Sequence, residues 1–437
     1  MRFADLQSWL DWQETLHSAE IELGLERIRQ VARNLAIPAA WPVPVITVAG
    51  TNGKGSSVAM LEAIYQHAGY RVGSYTSPHL LHYNERIKIN RQAVSDELIC
   101  QAFDKIDHAR QMPAGDDISL TYFEFGTLAA LYILSQAELD IVILEVGLGG
   151  RLDAVNIIDA EVALITPIAI DHQSWLGDDR NTIGAEKAGI IKAGCHTVYN
   201  DPEPVAAILQ KAQELNSEIY CLNKHFQAHS EPETAGWHYR SDSLQLRDLP
   251  RPALPGLHQL DNAAGAIQVS QILSETLPVS AASIARAMTD SQLPGRFQCL
   301  SHQPDIIVDV AHNEHALSTL ASNLQQLPSP GRTLAVLAML EDKALGEALG
   351  QIDAEIDRYY LAGLQGNRAL SAESLTQRIQ EGVSSDKLCT HDTVQAALEH
   401  ALSEAMSDDR IIIFGSFLTV SAAMKYLTES ASKDLGN

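Results

Sequence analysis

Short, mostly apolar runs recur along this chain, separated by stretches with helical spacing. Val45-Ile-Thr-Val48, Val72–Tyr75, Ile141-Val-Ile-Leu144 and Val162–Ile165 lie in the first part. Ile306–Val310, Leu334–Leu337, Tyr359–Leu361 and Ile411–Phe414 lie in the last. Strands without polar alternation are buried on both faces, and strands separated by helices pair in parallel. The pattern predicts an α/β protein: a P-loop-type parallel-sheet domain with helices on both faces, then a smaller Rossmann-like α/β domain. Gln292 to Phe297 reads as the hinge between them. The whole of 1–35 reads as helical, because Ile21, Leu25, Ile28, Val31, Ala32 and Leu35 share one helical face. Residues 196–255 are rich in charge and proline, and their strands are not placed.

A length of 437 residues exceeds one ordinary core and fits two domains. Lys and Arg number 31 against 55 Asp and Glu, a formal charge of −24. That excess opposes nucleic acid, whose binding rests on cations that neutralise phosphates. Small anions remain admissible where backbone N–H groups or a metal offset the field. The cysteines Cys100, Cys195, Cys221, Cys299 and Cys389 are odd in number and scattered, which predicts free thiols in a reducing compartment. Neither a secretory leader nor an apolar run of membrane-spanning length is found, so a cytoplasmic monomer free of membrane and nucleic acid is expected.

Ligands of open parallel sheets gather where strands end in carboxyl termini. The loop Gly50-Thr51-Asn52-Gly53-Lys54-Gly55-Ser56 sits there, between a strand and a helix. Glycines admit backbone N–H groups to a phosphate, the helix terminus adds positive potential, and Lys54 supplies charge. The usual phosphate-loop pattern is not met in full: Val48 takes the first glycine position, and Gly55 separates Lys54 from Ser56. Other polar residues fall at strand ends. Glu145 reads as a metal ligand, or as a partner of Arg151 or a helix cap. His172 reads as a ligand or a hydrogen-bonded core histidine, and Ser77 as a ligand or the start of a turn. Lys187 reads as a surface lysine. Asp309 and Asn313 read as nucleotide contacts or as caps of the helix that follows.

Nine motifs in order carry a resemblance. They are TVAGTNGKGS from Thr47, SPHL from Ser77, ERI from Glu85, LTYFE from Leu120 and EVGLGGRLDAVN from Glu145. AIDH from Ala169, EKAGI from Glu186, LPGRFQ from Leu293 and DVAHN from Asp309 complete the set. Together they resemble the Mur ligase superfamily in its folylpolyglutamate synthase branch, most of all the bifunctional type that also makes dihydrofolate.

The resemblance implies an ATP-binding domain with the folate site over 1–295 and a C-terminal glutamate-ligase domain over 296–437. It implies an ADP-forming ligase that joins L-glutamate to dihydropteroate and to reduced folates through an acyl phosphate. Folylpolyglutamate synthase activity alone is the alternative. ATP contacts are implied for Thr51 through Ser56, Asn262, Arg296 and Asp309. Ser77, Glu145 and His172 are implied as ligands of Mg²⁺, two ions being expected. Imidazole is an unusual magnesium ligand, so His172 stands on the family alone. Lys187 is implied to be N-carbamylated and catalytic. His312 is a candidate base for the glutamate amine.

Pterin contacts are implied for Glu22, Leu23, Gly24 and Leu25, for Thr121, Tyr122, Phe123 and Glu124, and for Leu152, Asp153 and Ala154. The residues alone make Glu22 an exposed acid on a helix and the aromatics core, whereas Asp153 can accept the paired donors of a pterin. Two rivals are weaker. A peptidoglycan ligase is expected to carry a UDP-binding domain before its loop, and 49 residues precede Gly50 here. A GTPase switch is expected to show a guanine-reading motif, and none is found.

Overall fold

A computed structural model describes residues 1–112, 117–230, 236–343, 348–366, 368–380 and 382–434. It is an α/β protein that packs as two compact units. The first comprises Met1–Ala169, Leu176–Ala253 and Gln259–Ser291. The second comprises Ile170–Trp175, Leu254–His258 and Gln292–Asn437.

In the first unit an eight-stranded sheet runs in the order β4-β3-β2-β5-β1-β6-β7-β8. Its strands are β1 (Val45–Ala49), β2 (Val72–Tyr75), β3 (Ile87–Ile89), β4 (Gln92–Ala93), β5 (Ile141–Glu145), β6 (Val162–Ile165), β7 (His196–Tyr199) and β8 (Glu218–Cys221). From β2 through β8 the pairing is parallel, and only β3 and β4 run antiparallel at one edge. Every residue of β1 and β5 is buried, as apolar strands covered on both faces must be. Helices Lys54–His67 and Tyr122–Gln136 each bury ten residues against this layer.

The N-terminal stretch departs from the expected single helix. Helices Leu6–Leu16 and Glu26–Asn34 are separate, and residues 17–25 connect them outside helical structure. Gly24 costs about 1 kcal/mol in a helix interior, and from the loop Glu22 pairs with Arg27. The first helix sets Trp9 and Trp12 against Phe125, with Phe103 completing an edge-to-face aromatic cluster. The unplaced region holds a three-stranded antiparallel sheet, β9 (Phe226–His229), β10 (Gly236–Ser241) and β11 (Gln245–Pro250), in the order β11-β10-β9. Only alternate residues of β10 are buried, so charge on its outer face masked the strand signal.

The second unit is a six-stranded sheet in the order β12-β13-β17-β14-β15-β16. These are β12 (Gln298–Ser301), β13 (Asp305–Asp309), β14 (Thr333–Leu337), β15 (Arg358–Ala362), β16 (Leu388–His391) and β17 (Arg410–Phe414). Only β12 is antiparallel to its neighbour. The central strands β14 and β17 are buried throughout, with a core of Leu317, Leu320, Leu324, Ile352, Tyr359, Ile412 and Phe414 around them. Among the described residues no helix is long and apolar enough to cross a membrane.

Candidate active site

The loop between β1 and Lys54–His67 is bound tightly to its own unit. Thr51 donates its N–H to Pro167 O at 3.0 Å, and its hydroxyl reaches Ala169 O at 3.0 Å. Gly53 has φ +91° and is the cap residue of the helix. A Cβ at Gly53 would lie 2.7 Å from the Asn262 side-chain oxygen, and one at Gly50 (φ +150°) would overlap Thr166. Both positions therefore exclude a side chain on conformational and steric grounds. Asn262 is thus packed on the loop, and Gln259 links it to Ser56 through bonds of 2.9 and 3.4 Å. Lys54 folds back to donate to Gly50 O at 3.0 Å and Thr51 O at 3.1 Å. The ammonium is held above the loop, while Gly55 and Ser56 lie in the first helical turn with N–H groups lacking helical acceptors.

Parallel pairing sets the next group. Val48 is in register with Glu145, and Tyr75 with Leu144, so the ends of β1, β5 and β2 lie side by side. Glu145 is 5% exposed and accepts the Ser77 N–H at 3.3 Å. The first unit thus brings Ser77 and Glu145 together. Arg151 pairs instead with Glu186 at 2.9 Å, which removes the alternative partner for Glu145.

Lys187 corrects its reading as a surface lysine. It ends helix Arg180–Lys187 and is only 4% exposed. Its neighbour Arg151 takes the solvent-facing role. The buried Asp153 feels the Lys187 charge, and burial pushes the Asp153 carboxyl up to about 6 against hydrogen bonds from Leu148 and Val155 N–H. Each Asp153 oxygen accepts one of those bonds, and Asp153 caps the turn Ala154–Ile157.

The three segments expected to meet a pterin converge in the first unit. Helix Glu26–Asn34 contacts both the helix after Thr121 and the turn after Asp153. Arg27, which sequence reasoning missed, pairs with Glu22 and also with Glu124 at 3.1 Å. Leu23 and Gly24 are half-buried beside Glu22, Leu25 is buried, and Leu152 packs against the core next to Ala154. Thr121 and Glu124 cap each other reciprocally at 3.2 and 2.8 Å. Tyr122 lies under the Arg86 guanidinium, and Phe123 meets Tyr75 with ring centroids 6.2 Å apart.

The second unit has its own cluster. His172, with φ +51°, belongs to this unit. Beside it the buried Asp171 accepts from Lys343 and, at 3.1 Å, from Asn313, and faces His312 Nε2 at 3.4 Å. Burial alone would raise the Asp171 carboxyl, but His312 and the Lys343 ammonium hold it well below the carboxylate range. Burial, opposed by Asp171 and reinforced by Lys343, takes His172 down to about 4, so its ring is neutral near pH 7. Asn313 also caps helix Glu314–Gln326 through Ala316 N–H. His312 Nδ1 faces Val310 O at 2.8 Å. Both ring nitrogens thus face acceptors, so neither lone pair can be aimed at a substrate amine while those contacts hold. Asp309 is half-buried and accepts from Phe297 and Ala311 N–H. Arg296 lies close enough to oppose the rise that burial imposes on Asp309, and stacks on Phe417. Asp171 had a signal in its motif; Lys343, from the unremarkable Glu-Asp-Lys, had none.

Comparison with known proteins gives a consistent answer. The Mur ligase middle domain matches residues 48–270, and the Mur ligase glutamate ligase domain matches 295–417. The dihydrofolate synthase/folylpolyglutamate synthase of Escherichia coli K12 is 41% identical over 97% of this chain and 95% of its own length. The structure of E. coli FolC in complex with DHPP and ADP has a TM-score of 0.90 at 40% identity, covering 98% of this chain and 99% of that one. A bifunctional folylpolyglutamate synthase/dihydrofolate synthase with Mn, AMPPNP and L-glutamate bound has a TM-score of 0.86 at 43% identity, covering 97% and 98%.

The chain belongs to the Mur ligase family, in its dihydrofolate synthase/folylpolyglutamate synthase branch.

For this ligase the Asp171–Lys343 pair carries a stability consequence. Breaking a buried pair leaves a buried charge uncompensated, at about 3 kcal/mol. Asp171→Asn should lower stability by about that amount in urea melts at pH 7, and an unchanged midpoint would refute the pairing. A depressed carboxyl adds stability that is present above its unfolded value of 3.8 and lost as pH falls through the folded one. The difference between wild type and variant should therefore hold from pH 5 to 8 and shrink only on further acidification.

Proposed function

We propose that this chain is an ADP-forming ligase that joins L-glutamate to dihydropteroate and to reduced folates. The observation that carries it is the Gly50–Ser56 loop opening a helix, with Lys54 above it and Glu145 in register beside it. Likeness to bifunctional relatives over nearly the full length supports the choice of substrates.

In this reading the backbone N–H groups from Gly53 to Ser56 hold the ATP phosphates, Thr51 and Asn52 shape the loop through their bonds to Pro167 O, and Lys54 leaves the loop carbonyls to pair with the phosphates. Asn262 supports the loop, and Arg296 and Asp309 are the nucleotide contacts of the second unit. Glu22, Arg27, Thr121, Glu124 and Asp153 offer a polar surface for the pterin, with Tyr122 and Phe123 beside it. The γ-phosphoryl group passes to the substrate carboxylate with release of ADP. The neutral amine of glutamate then attacks the acyl carbon, an amide bond forms, and phosphate and a proton leave. Little covalent work falls to the protein, so positioning and charge dominate.

The donors of the first unit fit a divalent cation: Ser77 and the buried Glu145 are hard oxygen ligands, while His172 is kept as a ligand on the family resemblance alone. When bound, such an ion neutralises charge on the transferring phosphoryl group. His312 is kept as a candidate for taking the amine proton once its contact with Asp171 is released.

Four measurements test these assignments. ATP and labelled glutamate should yield product and ADP with dihydropteroate in one tube and tetrahydrofolate in the other. Lys54→Ala should lose about a thousandfold in both while keeping its circular dichroism, and near-wild-type ADP release would remove the role of Lys54. Glu145→Gln should shift the Mg²⁺ activation curve to higher concentration; an identical curve would exclude it as a ligand. Lys187 is proposed to be N-carbamylated, which turns a buried cation into an anionic oxygen donor. Carbon NMR at neutral pH with labelled bicarbonate and nucleotide should show one carbamate signal that Lys187→Arg removes. A wild-type spectrum without that signal would overturn the modification.

A further inference from the structure

Cys389 and His391 are two residues apart on β16, an edge strand, and so project from the same face. Helix Val394–Glu404 brings His400 over them. His400 Nδ1 is 3.3 Å from His391 Nε2 and 3.6 Å from Cys389 Sγ, and the three atoms all lie within 4.8 Å of one another. With Zn–N near 2.0 Å and Zn–S near 2.3 Å, two ligands of a tetrahedral ion stand roughly 3.3 Å (N to N) and 3.6 Å (S to N) apart. The observed separations match those edges.

The tautomer of His400 strengthens the point. Its Nε2 lies 3.0 Å from Glu404 Oε1, and the other oxygen of Glu404 accepts from Tyr360 Oη at 2.7 Å and Arg358 at 3.0 Å. With its other oxygen engaged by two donors, Glu404 presents Oε1 as an acceptor to His400 Nε2. An ionised carboxylate keeps the imidazole proton on Nε2. In that tautomer the Nδ1 lone pair points at His391 and the thiol. A carboxylate behind a histidine is the usual support of a metal-bound imidazole.

We propose that Cys389, His391 and His400 bind one zinc-class divalent cation, which ties the edge strand β16 to helix Val394–Glu404. Binding deprotonates the Cys389 thiol, the proton goes to solvent, and both imidazoles coordinate as neutral rings. All three ligands are partly exposed, so water completes the tetrahedron. This donor set is soft, unlike the oxygens of Ser77 and Glu145. A second trio, Cys299, His302 and Asp305, is more exposed, and its His302 Nδ1 is already engaged by Asp305 at 2.8 Å. It serves as the control.

The full chain, stripped with chelator and held in excess Mg²⁺ to fill oxygen sites, is titrated with Co²⁺ and then Zn²⁺. One Co²⁺ per chain should give a thiolate charge-transfer band that Zn²⁺ abolishes, and Zn²⁺ should raise the wild-type Tm. Cys389→Ser should lose the band, His400→Asn should weaken binding at least tenfold, and Glu404→Gln about tenfold. Cys299→Ser should keep the band, which makes the assignment independent of whether Cys389→Ser folds well. Absence of the band in wild type, or its loss in Cys299→Ser, would overturn the site.

Discussion

The parallel pairing of β1 with β5 is the constraint on which the first unit's chemistry depends. It places the residue after β1, Gly50, and the last residue of β5, Glu145, at the same edge of one sheet. The loop there needs glycine at two points where the backbone passes Thr166 and Asn262. The strand end needs a buried carboxylate, which is costly unless something compensates it. The Ser77 N–H provides part of that compensation, because β2 pairs with β5 on the other side. Backbone topology thus assembles the glycine loop and a buried carboxylate at one sheet edge with few side-chain contacts.

The second unit relies on a different device. Asp171 is buried, and three side chains converge on it: Lys343, Asn313 and His312. Asn313 caps a helix while it binds Asp171, so the helix N-terminus and the Asp171–His172 segment are coupled through one side chain. His172 stays neutral because burial outweighs the attraction of its acidic neighbour. A neutral imidazole beside an ion pair is available as a ligand, whereas a charged one would not be. His312 is more constrained than its sequence position suggested, since both its nitrogens already face acceptors.

Arg27 shows how two distant segments can be joined without sharing an element. Glu22 lies in a loop and Glu124 in a capping box, and one guanidinium spans both. Its planar fork suits two carboxylates at once, as a lysine would not. The break in the N-terminal helix is what frees Glu22 to take part.

The α/β class, the strand ends, the phosphate loop and the family were legible in the residues, because each is written in neighbours along the chain. Strand runs, glycine spacing and ordered motifs need no knowledge of what packs against them. The extent of the N-terminal helices and the sheet β9–β11 were not, since an amphipathic face ran past a glycine and charge hid an alternating strand. Only tertiary structure decided that Lys187 is buried, that Arg27 joins two acids, and that Lys343 closes on Asp171 from 172 positions away. It alone brought His400 to Cys389 and His391 on an edge strand. The physical reason is the same in each case: periodicity records local backbone preference, whereas the environment of a charge or a ligand atom is set by residues distant in sequence that the fold brings within a few ångströms.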